Sequence, residues 1–268
     1  MSDVPVSTKP RTRSFGTLRS VSALVLREMA TTYGRSPGGY VWAVLEPVGA
    51  IAILTLAFSV LLRSPSLGTN FALFYATGYL PFALYAVLSA KIAQAIRFSR
   101  PLLAYPSVTY VDAILGRLVL NLLTQIMVFY IVMTGLHVVY DLRTVLDLPA
   151  IMLSLAMATA LGVGVGVINC FLMSILPVWE NIWQIVNRPL FIISGVLFIY
   201  EDLPRVAQNI LWYNPLVHVT GVMRTGFYPT YDATYVSLSY VFGVSLVLTV
   251  LGMVLLGRFH RLILNERR

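Results

Sequence analysis

Five stretches of this 268-residue chain carry at most one charged side chain over the length of a membrane-crossing helix. A helix needs about 20 mostly apolar residues to cross the hydrocarbon core of a bilayer. The five stretches are residues 40–62, 71–90, 118–140, 148–176 and 233–257. Only 11% of the residues are charged, whereas a soluble domain has roughly 25%. The sequence therefore excludes a soluble globular enzyme and predicts an all-α polytopic membrane protein.

A sixth span is predicted at residues 181–200, where the uncharged run is short and Arg188 precedes it. The run alone would also suit a re-entrant segment. Both chain ends, residues 1–16 and 258–268, are basic and should lie on the same side. With six spans and a cytoplasmic N-terminus, that side holds 15 of the 19 basic residues, which fits the positive-inside rule. The outer side keeps Arg63, Arg143, Arg205 and Arg224.

Residues 17–35 are predicted to form an amphipathic, cationic helix before the first span. Leu18, Val21, Val25 and Met29 fall near one face of it. Such a helix is typical of the membrane interface, and a solvated cytoplasmic helix is the alternative.

The segment between the fifth and sixth spans predicts two short amphipathic helices on the outer side. Asp202 can cap the first, and Asn214 can cap the second with Pro215 in its first turn. We expect a half-inserted hairpin, since exposed backbone at membrane depth needs protein or water around it. Two helices lying flat on the outer leaflet are the alternative. The candidate gate residues here are Trp212, Asn214, Pro215, His218 and Arg224.

The predicted cytoplasmic segment 92–117 is too polar to cross the membrane and too apolar for a plain linker. Its mixed surface suits contact with a cytoplasmic partner, and a charged turn lying on the bilayer is the alternative. The residues concerned are Arg100, Pro101, Leu102, Leu103 and Tyr105.

Gly162, Gly164 and Gly166 alternate with valine inside the fourth span. Small residues in a membrane helix permit close approach of neighbouring helices. The glycines therefore predict packing and not a nucleotide-binding loop.

The sequence lacks the residue patterns of a nucleotide-binding, metal-binding or catalytic site. It has two lysines, Lys9 and Lys91, and neither follows a glycine-rich phosphate loop. Its three histidines make no metal-binding spacing, and the acids near the cytoplasmic face, Glu46, Asp112 and Glu180, are dispersed. We expect no catalytic residue, metal or cofactor in this chain. Glu46 is expected to bend its helix or to pair with a basic residue, Arg188 being one possibility.

Aromatic residues make up 12% of the chain and cluster near the span ends. Tyrosine and tryptophan anchor helices at membrane interfaces, but a set of aromatic faces can also let a sugar polymer slide. The residues predicted for such a glycan path are Tyr40, Trp42, Tyr79, Tyr85 and Trp183.

Several of these segments resemble type-2 ABC exporter permeases, most closely the branch that exports capsular polysaccharide and O-antigen. The opening motif is REM at 27–29, YGRS at 33–36 and GYVWAVLEP at 39–47. LLAYP at 102–106 resembles the family's coupling region, and NPLVH at 214–218 with GFYP at 226–229 resembles its external segment. Gly38 departs from the pattern, because an apolar residue is expected there.

The resemblance implies a homodimer with two ATP-binding cassette subunits, which would bind ATP and Mg²⁺. Arg27, Tyr33 and Arg35 of the interface helix and the loop at residues 100–106 would contact those subunits. ATP hydrolysis would drive a lipid-linked glycan across the bacterial inner membrane, past a gate at residues 201–231. A periplasmic co-polymerase and an outer-membrane exporter would continue the path.

Two alternatives remain. One is a permease of the same superfamily with another cargo: O-antigen, teichoic acid, a lipid or a drug. The other is a membrane-embedded glycan enzyme or scaffold, which would need catalytic acids grouped at the membrane surface. The positive charge of +8 is explained by membrane orientation and does not predict a nucleic-acid partner.

Overall fold

The computed structural model describes residues 16–33, 38–103, 108–142 and 144–265, and these contain helices and no strand. A π-helical turn, Met29–Tyr33, extends the first helix, and a 3₁₀ turn, Tyr200–Asp202, precedes the eighth. The helices are α1 Gly16–Glu28, α2 Tyr40–Leu61, α3 Phe71–Ala93, α4 Ala95–Leu103, α5 Tyr110–Tyr140, α6 Leu148–Ile175, α7 Trp179–Ile193, α8 Arg205–Leu211, α9 Pro215–Phe227 and α10 Leu238–Asn265.

Five helices of the described segments are long and apolar enough to cross a membrane: α2, α3, α5, α6 and α10. They coincide with the five charge-poor stretches of the sequence. The prediction of an all-α, multi-pass membrane protein is therefore confirmed.

Helix α6 lies at the centre of the bundle and packs against α3, α9 and α10. Its alternating glycines face two different neighbours. A Cβ atom at Gly162 or Gly166 would lie 3.0 Å from Leu88 Cβ or 2.8 Å from Ile92 Cβ, both on α3. A Cβ atom at Gly164 would lie 2.7 Å from the carbonyl oxygen of Ser245 on α10. The glycines thus remove the side chains that would hold α3 and α10 away from α6.

The sixth predicted span, residues 181–200, is not a single helix. Helix α7 has 15 residues and ends at Ile193, and the chain continues without helical structure to Ile199. Gly195 has a φ of +79°, a backbone conformation that glycine adopts without steric cost. The helix can end inside the bundle because side chains of α9 bind the carbonyl groups that the break exposes.

Helices α8 and α9 form the segment predicted as an external hairpin, but they differ in burial. Asn214 caps α9 as predicted: its side-chain oxygen accepts a hydrogen bond from the Leu216 amide at 3.1 Å. The predicted cap at Asp202 is wrong, since Asp202 lies in the 3₁₀ turn and Pro204 precedes α8. Helix α8 has no buried residue, whereas most of α9 is buried.

A hydrogen bond places α9 within the bundle. Ser154 Oγ donates to the carbonyl oxygen of Val219 at 2.8 Å. Ser154 follows the start of α6 by six residues, which corresponds to about 9 Å along a helix axis. Of these two helices, α9 therefore packs into the bundle, whereas α8 lies on its surface.

Helix α1 packs against α5 through the face that carries Leu24 and Glu28. Leu24 and Glu28 are buried, whereas Leu18 is 65% exposed. Gly116 of α5 permits this contact, because a Cβ atom there would lie 3.1 Å from Leu24 Cβ. The orientation of α1 is thus set by one close helix contact and by the charge of Glu28.

Two glycine substitutions test the packing of α6. Alanine is favoured over glycine by about 1 kcal/mol in a helix, so Gly243→Ala, in open space on α10, should raise the melting temperature slightly. Gly164→Ala should lower it, because overpacking costs roughly 1–3 kcal/mol. Tryptophan fluorescence of the purified protein in detergent measures both. Shifts of the same sign and size would contradict the packing role of Gly164.

Candidate coupling and transport sites

A cluster of charged and aromatic side chains, two of them buried and two half-buried, joins α1, α4 and α5. The Phe98 ring of α4 lies close to two guanidinium groups: the Arg27 Cζ is 5.2 Å and the Arg117 Cζ 4.1 Å from its centroid. Glu28 Oε2 lies 3.5 Å from Arg117 Nε, and both side chains are buried. Cations are attracted to the face of an aromatic ring, so Phe98 is held by both neighbouring helices. We call Arg27, Glu28, Phe98 and Arg117 the coupling cluster.

Arg117 also ties this cluster to α3, because its Nη1 donates to the Lys91 carbonyl oxygen at 2.8 Å. A buried ion pair is costly unless further contacts satisfy both partners. Arg117 has an acid, a carbonyl group and a ring around it. Sequence reasoning missed Glu28, Phe98 and Arg117 as a group; the available signal was an acid four residues after Leu24, on the same helix face.

The predicted coupling residues lie close to this cluster in the chain. Arg100, Pro101, Leu102 and Leu103 form the last turn of α4. Leu103 packs against the apolar core that contains Phe171 and Leu256. Tyr33 ends the π-helical turn, whereas Arg35 and Tyr105 lie outside the described residues.

A polar cleft opens next to α4, between the ends of α3 and α4 on one side and of α6 and α7 on the other. It comprises two adjoining cavities of about 300 and 210 Å³ that share Gln94, Met173 and Glu180. An ion pair of 2.9 Å between Arg97 Nη1 and Glu180 Oε2 bridges α4 and α7. Because Arg97 is largely exposed, this pair guides the relative position of the helices more than it stabilises them.

One face of α7 supplies most of the polar groups of the cleft. Its members follow one another at helical spacing and all line the larger cavity: Glu180, Trp183, Gln184, Asn187 and Arg188. This set, the α7 stripe, was missed by sequence reasoning except for Trp183. The signal was present, since positions i, i+3, i+4, i+7 and i+8 share one side of a helix.

The other predicted glycan-path residues are not in the cleft. Trp42 is 61% exposed on α2, and Tyr40 lies at the start of the same helix. The Tyr79 ring contacts Phe191 edge to face, with 6.2 Å between centroids. Tyr85 is 2% exposed in the core between α3 and α6. Of the five residues, only Trp183 lines the cleft.

The three acids considered for catalysis have separate surroundings. Asp112 forms a capping box with Thr109 at the start of α5, and Glu180 pairs with Arg97. Glu46 is exposed on α2, and the expected Glu46–Arg188 pair is absent from the described residues. The described residues contain no group of three or more histidine, cysteine and acidic side chains that could hold a metal ion.

At the opposite end of the bundle, Arg224 of α9 is fully enclosed. Its Nη1 donates to the Phe198 carbonyl oxygen at 2.7 Å and its Nη2 to that of Val196 at 3.1 Å. The guanidinium carbon also lies 4.3 Å from the centre of the Phe74 ring. Arg224 thus binds the non-helical segment that follows α7 and presses it against α3.

Two more side chains of this end bind the break in α7. Asn214 Nδ2 donates to the Ile193 carbonyl oxygen at 2.9 Å, and Thr220 Oγ1 donates to that of Ser194 at 3.0 Å. Together with Arg224, these side chains bind the carbonyl groups of residues 193, 194, 196 and 198, which have no partner within a helix.

His218 fixes the start of α9 in its neutral form. Its Nε2 bonds to the Trp212 carbonyl oxygen at 2.8 Å, and its Nδ1 accepts from the Ser237 amide at 3.2 Å. Burial lowers the pKa of His218, against the opposing effect of the bond to Trp212. The Trp212 ring stacks on Tyr240, with 5.1 Å between centroids, and Pro215 occupies the first turn of α9. This end of the structure is therefore closely packed.

Together, these features describe a multi-pass membrane protein with a charged and aromatic cluster and a polar cleft at one end and a closely packed opposite end. Residues 19–228 match the profile of the ABC-2 type transporter family. The chain belongs to this family.

Curated relatives match almost the whole chain. The polysialic acid transport protein KpsM of Escherichia coli is 28% identical over 236 residues, which cover 88% of this chain and 92% of that protein. The capsule polysaccharide export inner-membrane proteins CtrC of Neisseria meningitidis serogroup A and BexB of Haemophilus influenzae are each 25% identical over 243 residues. Those matches cover 91% of this chain and 92% of each relative.

The role of Arg224 can be tested by substitution. Arg224→Met should lower the stability markedly, because each unsatisfied buried carbonyl group costs about 1–3 kcal/mol. Arg224→Lys should have an intermediate effect, since one ammonium group replaces a planar fork. Amide hydrogen exchange of residues 196–199 should rise in the same order. Arg205→Met, at the exposed start of α8, is the control; an equal effect there would contradict the role of Arg224.

Proposed function

We propose that this chain is the membrane permease subunit of an ATP-driven exporter that moves lipid-linked capsular polysaccharide across the bacterial inner membrane. The observation that carries the proposal is the α7 stripe, a row of polar side chains and one tryptophan on a helix within an ABC-2 fold. Polar groups at membrane depth mark substrate pathways or contacts between subunits. The similarity to KpsM, a polysialic acid transport protein, and to the capsule polysaccharide export proteins CtrC and BexB supports capsule glycan as the cargo. Export of O-antigen, teichoic acid, a lipid or a drug is not favoured.

The proposed topology has six crossings with both termini in the cytoplasm. Helix α7 would cover about 22 Å, and residues 194–198 continue as turns and bends. The fifth crossing between α6 and α10 would therefore combine a short helix with a folded segment that packs against α9. The charge distribution supports this orientation, since α1, α4 and the coupling cluster are basic.

ATP hydrolysis is proposed to occur in two separate ATP-binding cassette subunits on the cytoplasmic side, where ATP and Mg²⁺ would bind. These subunits would contact α1 and the last turn of α4. A push on α4 would reach α5 through Phe98 and Arg117, and would reach α7 through the Arg97–Glu180 pair. A movement of α4 would therefore act on both the coupling cluster and the cleft.

A homodimer is proposed because the α7 stripe lines a cleft that this chain encloses only in part. Helix α7 has no buried residue. Asn181 is exposed on it, next to apolar residues such as Ile182 and Ile185. A second copy would supply the other side of the glycan path. Residues 201–231 would form the outer gate, which a periplasmic co-polymerase and an outer-membrane exporter would meet.

Export can be tested in the source bacterium. Deletion of the gene should abolish the surface glycan coat and leave glycan inside the cell, and a plasmid copy should restore the coat. Antibody or lectin staining of intact and permeabilised cells measures both pools. A normal coat in the deletion strain would refute the proposal.

Coupling can be tested with Arg100→Ala and Leu102→Ala. Both should reduce export strongly while the amount of protein in the membrane stays unchanged, because the last turn of α4 would transmit ATPase motion. Leu146→Ala, in the loop before α6, is the control. The complex with its ATPase, reconstituted in vesicles, should also lose the link between ATP hydrolysis and transport. Normal coupling in both variants would contradict this role.

A further inference from the structure

We propose that the cleft along the α7 stripe is a recognition site for an anionic group carried by a sugar, either a carboxylate or a phosphate, with Arg188 as its principal cationic ligand. This inference rests on the proposed export function and specifies the chemistry that the permease recognises in its cargo.

The charge of the cleft favours an anion. Its two cavities are lined by Arg97, Arg100 and Arg188 and by one acid, Glu180. Glu180 is paired with Arg97, so the lining retains an excess of positive charge. Arg97 and Arg188 are exposed, so their attraction for an anion acts at short range and is weakened by salt.

Arg188 is the cation that the fold leaves for a ligand. In the described part of the chain it has no hydrogen-bond or ion-pair partner. Arginine binds carboxylate and phosphate through two parallel N–H groups. An arginine in the interior of α7, eight residues from Glu180, is costly within a membrane unless it meets an anion or water.

The neighbouring residue supplies a second, independent signal. Asn187 Oδ1 is buried and accepts no hydrogen bond, although buried polar atoms nearly always have a partner. It lines the same cavity as Arg188. A carboxamide oxygen needs a donor, and a sugar hydroxyl group in the cleft would supply one once the Asn187 side chain turns toward the cavity.

The other residues that line the larger cavity also suit a sugar. Trp183 offers an aromatic face, and Gln94 and Gln184 offer amide groups. The larger cavity, about 300 Å³, lies at the lower limit of ligand sites, roughly 300–1,000 Å³. It therefore suits one or two sugar units with their charged substituent, and not a whole polymer.

The position of the cleft next to α4 indicates how binding of an anion would affect the rest of the protein. The Arg97–Glu180 pair joins the edge of the cleft to α4, the helix that carries the coupling cluster residue Phe98. Binding of an anion beside Glu180 would compete with it for Arg97. Occupancy of the cleft would thus be sensed by the helix that contacts the ATPase.

The test is a binding titration with the full-length permease in nanodiscs of phosphatidylcholine, a zwitterionic lipid. Three probes are compared by isothermal calorimetry: maltotetraose, maltotetraose 1-phosphate and tetragalacturonate. We expect at least one anionic probe to bind and the neutral probe to bind weakly. Arg188→Gln should weaken anion binding about tenfold, since a hydrogen bond to a charged group is worth about 1.4 kcal/mol or more. Arg188→Lys should retain most of it, and Arg205→Gln, on α8, should change nothing.

The result assigns the source of the anion. Binding of tetragalacturonate alone points to acidic sugar units, and binding of the 1-phosphate alone to a phosphate at the lipid-linked end. Equal affinity for maltotetraose, no binding of either anionic probe, or unchanged affinity in Arg188→Gln would overturn the proposal. Unchanged melting temperatures of the variants ensure that a loss of binding is not a loss of fold.

A complementation assay separates this inference from the proposed function. If the wild-type gene restores the glycan coat but Arg188→Gln binds the probes as well as the wild type, the site assignment fails and the export function stands. If the wild-type gene does not restore the coat, the export function fails whatever the binding result.

Discussion

Backbone polar groups inside a membrane domain must find partners within the protein, and the rest of this structure depends on how the break after α7 meets that demand. Asn214, which caps α9, and Thr220 and Arg224 within it donate to the carbonyl groups of residues 193, 194, 196 and 198. Because α9 supplies these donors, it must lie inside the bundle. For the same reason α7 can end early, since four of the carbonyl groups at and after its end find donors in this way.

The shortness of α7 also affects the cleft that its polar face lines. Few contacts hold it to α6, and none of its residues is buried, so one of its faces is free to line a cleft. The polar stripe on that face would destabilise a fully lipid-exposed helix. Arg97 links the stripe to α4, and α4 is held by Arg27 and Arg117 through Phe98. A coupling region and a polar cleft are therefore connected by one short helix.

Sequence patterns succeeded where the determining interactions are local. The charge-poor runs correspond to the five long helices, because apolar length is a property of each segment alone. Asn214 and Pro215 marked the start of α9, since a helix cap involves only neighbouring residues. Gly162, Gly164 and Gly166 indicated close packing, although the sequence did not show that they face α3 and α10 in turn. The predicted cap at Asp202 failed because a 3₁₀ turn takes up that residue before α8 begins.

The sequence by itself determined the class of the protein, the number of long apolar helices, the asymmetry of charge and the family motifs, because these follow from composition, spacing and neighbouring residues. Only the tertiary structure decided that α1 turns Leu24 and Glu28 inward, that Glu28 meets Arg117 and not a solvent ion, and that Arg188 faces a cleft and not Glu46. It also decided the burial of Arg224. Each of these depends on a partner far away in the chain, and the free energy of a buried charge is set by that partner and not by the residue itself.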